Sequence, residues 1–218
     1  MLFRSNFLRD LSAVSVLGSL PLVVVVNPTV PARNLAQLTA IGKSRAINAG
    51  SSGNGTPEHL AMELYRQITG VKATHVPYKG AAPATISLIG GELDFIIAAL
   101  PNVPPHLKTG KLRALAVTSL QRVAVMPDLP TVSESGIKDY EVLNWFALFA
   151  PAGTPQPIVD RMHREAKAMM AEKDTRERLA GEGADPIASS PAEFAAFVRE
   201  EVRKWDEVGK AAKIEQTE

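Results

Sequence analysis

Cysteine is absent from the 218 residues, which excludes thiolate catalysis, disulfide staples, zinc ribbons and iron–sulfur clusters. A surplus of one charge is absent too: 24 basic against 23 acidic side chains leave a formal net charge of +1. Without a domain-wide positive field nothing gathers phosphates, so no nucleic-acid partner is expected. The four histidines show no metal-ligand spacing and no acidic cluster accompanies them, so no metal or other cofactor is expected. What remains is globular: 45% apolar and 22% charged residues can bury a core, over a length that suits one large domain or two small lobes. The 16 prolines and 15 glycines predict many short, punctuated elements.

Residues 1–26 imitate a signal peptide, with Arg4 and Arg9 ahead of an apolar stretch. Asp10 interrupts the positive region, Pro21 breaks the run, and no small-x-small cleavage site follows Val26. The run is also too short and too broken for a transmembrane helix. Val23-Val24-Val25-Val26, bounded by Pro21 and Asn27-Pro28, is expected to form a strand buried on both faces. No export signal is recognisable.

From there strands and helices alternate. Helices are expected over Val30–Lys43, from Pro57 to Ile68 with Gly70 closing, over Pro83–Ile89 and over Pro101–Lys108. Strands are expected at Ala46–Ala49, Thr74–Pro77, Asp94–Leu100, Leu112–Thr118 and Glu141–Ala150. The alternation implies α/β architecture with a parallel sheet and helices on both faces. After residue 150 the chain reads as almost wholly helical. Ile158, Met162, Ala166 and Met169 line one expected face, and Leu179, Phe194, Phe197, Val198 and Trp205 continue the apolar positions. Trp145-Phe146 reads as core.

The densest chemical signal is Gly50-Ser51-Ser52-Gly53-Asn54-Gly55-Thr56-Pro57-Glu58-His59. A strand ends, a glycine-rich turn follows, and Thr56 is placed to cap a helix opened by Pro57. Free N–H groups, the helix dipole and the Ser51, Ser52 and Thr56 hydroxyls would together receive an anion. A plain capped helix accounts for the residues equally well; the position at a strand's C-terminal end favours a ligand. Tyr78-Lys79-Gly80 follows the next strand in the same way, and Asn102 ends the one after, so one sheet edge collects polar groups. Sharper motifs fail. Gly53-Asn54-Gly55-Thr56-Pro57-Glu58 lacks the third glycine of a dinucleotide fingerprint, and Gln37 stands where a phosphate loop needs its first glycine. Ala49-Gly50-Ser51-Ser52-Gly53 is one substitution from a nucleophile elbow, but His106 and His163 are poor candidates for the base of a serine hydrolase.

Five collinear segments carry a resemblance: Ala49 to Leu60, His75-Val76-Pro77-Tyr78-Lys79-Gly80, Gly110 to Val117, Leu129-Pro130-Thr131-Val132 and Trp145 to Pro155. Their order and spacing resemble the Bug-type (TctC-like) substrate-binding proteins of tripartite tricarboxylate transporters. The resemblance implies a type II periplasmic-binding-protein fold, two lobes with mostly parallel sheets flanked by helices, and a periplasmic location. It implies capture of a small carboxylate (a di- or tricarboxylate, an aromatic acid or an amino acid) for delivery to membrane permease subunits, without chemistry or catalytic residues. It places ligand contacts at Ser51, Ser52, Gly53, Asn54, Gly55 and Thr56 and at Tyr78, Lys79 and Gly80. Many members carry Asp-Asn at the end of the third strand. Here stands Ala98-Ala99, which makes Asn102 or a backbone group the expected contact.

Family members open with a signal peptide and a proline-glycine-rich first-lobe loop that this sequence does not show. The resemblance therefore implies an N-terminally truncated member with an incomplete first lobe. Residues 24–144 are expected to form the complete, ligand-binding lobe. Residues 1–23 plus 145–218, with the C-terminal helices, form the discontinuous remnant of the other. Phe194, Phe197 and Trp205 are expected to be partly exposed there. Competing readings are the effector-sensing domain of a transcription regulator, which uses the same fold, and the serine hydrolase.

Overall fold

A computed structural model describes residues 7–214; Arg4, part of the signal-like stretch, lies outside the described residues. In chain order the elements are α1 (Phe7–Asp10), β1 (Leu11–Val26), α2 (Leu35–Ser44), β2 (Ile47–Ser51), α3 (Pro57–Thr69), β3 (Ala73–Pro77), α4 (Ala81–Ile89) and β4 (Phe95–Ala99). A 3₁₀ turn (Leu100–Asn102), α5 (Pro104–Lys108), β5 (Arg113–Val117) and β6 (Leu143–Pro151) follow. The chain ends with α6 (Gln156–Ala171), α7 (Lys173–Gly181), β7 (Asp185–Pro186) and α8 (Pro191–Ala212). Two compact units result: Leu20–Asn144, and the residues up to Ser19 together with those from Trp145 onward. No helix among the described residues is long and apolar enough to cross a membrane.

In the Leu20–Asn144 unit the sheet order is β3-β2-β4-β1-β5. The expected parallel alternation holds for β2, which runs parallel to β3 (Ile47 opposite Ala73) and to β4 (Ala49 opposite Phe95). It fails for β1, which is antiparallel to both β4 and β5, so the sheet is mixed rather than mostly parallel. The reason is that a strand buried on both faces carries the same apolar run in either direction, and periodicity is blind to its sense. The four valines are 0–1% exposed. Val23 and Val25, opposite Ala98 and Ile96, join Leu88 of α4 in one core cluster. Val24 and Val26 oppose Ile97 and Phe95, and the Phe95 ring meets Tyr65 of α3 edge-on at 6.1 Å. Helices thus cover the two faces.

Local chemistry sets the helix ends. α2 starts at Leu35 rather than at Val30 because the Asn34 side chain accepts the Gln37 N–H at 2.9 Å. α3 has Thr56 as cap, Pro57 in its first turn and Gly70 closing it in the left-handed conformation (φ 72°). The stretch expected as one helix over Pro101–Lys108 is a 3₁₀ turn followed by α5.

The second unit is built on the first half of β1, which pairs with β6 and, through Gly18 and Ser19, with β7. A side chain at Gly18 would stand 2.9 Å from the Asp185 carbonyl oxygen, so the close strand approach needs glycine. Phe194 is fully buried, which corrects the expectation of its partial exposure, whereas Trp205 is partly exposed as expected. Trp145 and Phe149 close on its ring at 6.1 and 4.7 Å, beside Val16 and Val198. Phe197 is partly exposed, as expected, and Phe146, read as core, is exposed. On α6 the buried positions are Val159 and Ala166, while Ile158 and Met169 face solvent, so the apolar stripe is rotated from the one expected. α8 begins with a reciprocal capping box between Ser190 and Glu193.

Thr118, fully buried at the end of β5, joins β1 to the segment that leads into β6. Its Oγ1 accepts the Leu22 N–H at 2.8 Å and donates to the Val142 carbonyl at 2.5 Å. Thr118→Val keeps the shape, removes the hydroxyl and leaves both backbone groups buried without that partner. A loss of about 1–3 kcal/mol is expected. Urea denaturation should show it as a lower midpoint with an unchanged slope.

Candidate functional site

Between β2 and α3 the chain folds back on itself through Ser51. The Ser51 Oγ accepts the Gly53 N–H (3.1 Å) and lies 3.0 Å from the Gly53 carbonyl and 2.6 Å from His75 Nε2. Thr56 donates its hydroxyl to the Gly53 carbonyl (2.8 Å) and accepts the His59 N–H (3.4 Å) as helix cap. Gly55, at φ 72°, donates its N–H to His59 Nδ1 at 3.0 Å. Ser52 donates its hydroxyl to Glu58 Oε2 at 2.8 Å. The Ser52 and Thr56 protons are therefore spent inside the protein, and Ser51, 2% exposed, is tied at three points. The donors the sequence offered for an anion at this loop are largely committed to holding its shape.

The next strand end is laced to this loop through the backbone. The Tyr78 N–H donates to the Ser51 carbonyl (3.0 Å) and the Gly80 N–H to the Ser52 carbonyl (2.9 Å). Gly80 precedes α4 with φ 113°, and no side chain caps this helix end. The N–H groups of Ala81 and Ala82, at the positive end of the helix dipole, lie in that uncapped first turn. The Tyr78 hydroxyl pairs with Ser87 Oγ at 2.6 Å, and Ser87 donates to Glu92.

A shallow hollow, open to solvent and with an almost wholly apolar exposed lining, lies against this arrangement within the Leu20–Asn144 unit. Gly50, Ser51, Ser52 and Glu58 line one side, Ala81, Ala84 and Thr85 of α4 another, and Ile96, Ile97 and Ala98 of β4 the third. Of the residues expected to bind, Ser51 and Ser52 reach this lining. Gly53, Asn54, Gly55, Thr56, Tyr78, Lys79 and Gly80 frame the two loops beside it, with Asn54, Gly55 and Lys79 exposed. Asn102 is exposed on the 3₁₀ turn after β4 and is not part of the lining, whereas Ala98 is. Among the described residues no lysine, arginine or histidine lines the hollow.

Sequence reasoning missed a buried cluster behind the loop. His59 and His75 stack with ring centroids 3.7 Å apart and planes at 9°. Because His59 Nδ1 accepts the Gly55 N–H, the ring proton sits on Nε2, facing Glu63 Oε1 at 3.8 Å. Glu63 is paired in turn with Arg66 at 2.8 Å. Burial, and then the neighbouring His59, push His75 down to about 4. The parallel register, with Ala49 opposite His75 and Ser51 opposite Pro77, brings His75 diagonally to Ser51. That register was the one usable signal. The histidine at Ser51 is His75, neither of the two candidate hydrolase bases His106 and His163. The Ser51 hydroxyl is nonetheless committed at three points in a nearly buried side chain, and the carboxylate behind the histidines stands by His59. Among the described residues no cluster of three His, Asp or Glu side chains is placed to hold a metal ion.

His75 stays neutral in the fold down to about pH 4, whereas an unfolded histidine titrates near 6.5. The unfolded chain thus binds more protons in that window, so stability is full above about 6.5 and is lost as pH falls toward 4. The ring is half-buried, so between about 1 and 3 kcal/mol is expected. Urea unfolding at pH 7.5 and 4.5 should show a smaller loss for His75→Gln than for the native chain.

A model of the family described as tripartite tricarboxylate transporter family receptor matches residues 2–214. Protein BugT of Bordetella pertussis is 35% identical over 200 residues, covering 91% of this chain and 61% of BugT. The chain spans about three-fifths of the length of most of the curated relatives it matches, such as BugT. A protein of R. palustris solved with adipate is 33% identical with a TM-score of 0.86, over 98% of this chain and 73% of that one. MatC from Rhodopseudomonas palustris, solved with bound malate, is 29% identical with a TM-score of 0.82, over 95% and 72%. The periplasmic binding protein BugD is 33% identical with a TM-score of 0.81, over 94% and 70%.

Proposed function

The chain belongs to the tripartite tricarboxylate transporter receptor family, and from that premise we propose that it captures a small carboxylate in the hollow at the end of β2, for delivery to the membrane permease of such a transporter. The fold is that of the periplasmic binding proteins, α/β with mixed sheets flanked by helices, and the family is one of receptors rather than enzymes. The observation that carries the proposal is the hollow itself. It lies at the C-terminal ends of β2 and β4, where open α/β sheets receive ligands, and the uncapped first turn of α4 borders it. The Ala81 N–H of that uncapped turn and the positive end of the helix dipole suit a carboxylate without any lysine or arginine. The Ile96, Ile97 and Ala98 wall suits a short hydrocarbon chain.

In this reading the Leu20–Asn144 unit is the ligand-binding lobe, and Ser51, Ser52 and α4 touch the ligand. Gly53 to Thr56 and Tyr78 to Gly80 hold the shape, and Asn102 and Lys79 serve as outer contacts. A periplasmic workplace and a permease partner follow from the family. The adipate and malate of the related structures make unbranched dicarboxylates natural first candidates.

Thermal-shift and calorimetric titration of the chain with mono-, di- and tricarboxylates should give saturable binding of at least one. Ala98→Leu should fill part of the hollow and weaken that binding more than tenfold while the protein still melts cooperatively. No binding by the native chain, or equal affinity in a folded Ala98→Leu variant, contradicts the assignment.

A further inference from the structure

Two stacked histidines hold both ends of the glycine loop. On α3, His59 Nδ1 accepts the Gly55 N–H at 3.0 Å. On β3, His75 Nε2 stands 2.6 Å from Ser51 Oγ, which in turn accepts the Gly53 N–H. The rings lie 3.7 Å apart and nearly parallel, so the two attachment points form one body. Glu63, one turn after His59, faces its Nε2 at 3.8 Å and is itself held by Arg66 at 2.8 Å. That carboxylate keeps the ring proton on Nε2 and leaves Nδ1 to accept. His59 and Glu63 are only 5% and 4% exposed. Polar groups placed so deep cost free energy that an apolar pair would not. The bonds of both histidines run to the loop, and neither ring lines the hollow.

Displacing the pair would move two walls of the hollow together. Ser51 and Ser52 line one side, and their carbonyls accept the Tyr78 and Gly80 N–H groups at 3.0 and 2.9 Å. Gly80 leads directly into α4, whose Ala81, Ala84 and Thr85 line another side. The loop therefore sets the spacing of these walls, and the histidines set the loop. Resting on the carboxylate-receptor reading above, we infer that His59 and His75 are positioning residues of the ligand site. Neither touches the ligand. Each acts through one ring nitrogen, Nδ1 of His59 and Nε2 of His75, and Glu63 fixes the His59 tautomer. Support of this kind, carried on a helix and a strand, keeps a binding site within its productive geometry. A role in packing alone would depend on the size of the side chain and not on which ring position carries the polar atom.

Asparagine and glutamine separate the two roles. The amide of asparagine puts a polar atom where a histidine has Nδ1, and that of glutamine reaches one atom further, where a histidine has Nε2. His59→Asn and His75→Gln therefore keep the polar atom in use, whereas His59→Gln and His75→Asn misplace it. Calorimetry with adipate, malate, succinate and citrate is run on the native chain and the four variants, with the melting temperature of each. For the acid that the native chain binds best, His59→Asn and His75→Gln should stay close to native affinity. His59→Gln and His75→Asn should lose about tenfold or more, the scale of one buried hydrogen bond. In the native chain the same acid should slow hydrogen exchange at the Gly55 amide, although Gly55 lines no part of the hollow. The same preference at both positions, or equal affinities in all four variants, overturns the inference and leaves the receptor reading standing. Should the variants not fold, the native chain decides, and an unchanged Gly55 exchange rate overturns the inference. Binding of none of the four acids by the native chain removes the receptor reading, and the inference falls with it.

Discussion

A single strand, buried on both faces, carries the architecture. β1 supplies the rung between β4 and β5 with its second half and pairs with β6 and β7 through its first. Each of Val23 to Val26 is removed from water almost completely, at about 1.5–3 kcal/mol apiece by area. Alternate valines face opposite helix layers, so no one-residue slip of the strand preserves both cores. With β1 fixed, β4 is fixed beside it and β2 beside β4, and the ends of those two strands bound the hollow. Thr118 binds the same strand to the segment entering β6 through buried hydrogen bonds.

The site follows from what that frame does with its polar groups. Buried polar atoms must be partnered, and the glycine loop partners its own: Thr56 and Gly53 with each other, Ser51 with Gly53 and His75, Ser52 with Glu58. The loop is a rigid wall rather than a ring of free donors. Donor capacity passes to α4, whose glycine cap has no side chain to spend on the first N–H groups. Fixed dipoles of this kind need no reorganisation when an anion arrives.

The sequence showed clearly whatever depends on local chemistry or on a continuous apolar run. The valine strand, the Thr56 cap with Pro57, and Gly70 closing α3 were all legible, as were the five ordered segments that identify the family. The sense of β1 was not, because burial on both faces erases the period that would mark it. Nor was the covering of Phe194, which depends on Trp145 and Phe149 in a distant strand. Half of the candidate site was legible as a serine-containing loop at a strand end. The partners of its hydroxyls were hidden, since Glu58 lies on the next helix and His75 on the next strand. Asn102 was singled out as the only side-chain donor ending its strand, yet the 3₁₀ turn leaves it exposed while Ala98 lines the wall.

The claim that everything above converges on is that the hollow between β2, α4 and β4 receives the carboxylate. Amide nuclear magnetic resonance of the ¹⁵N-labelled chain, titrated with a carboxylate that binds, tests it residue by residue. The account predicts that the largest shift changes fall on Ser51, Ser52, Ala81, Ala82, Thr85 and Ala98. Changes concentrated beyond Trp145, or at Lys79 and Asn102 with those amides unmoved, would contradict it.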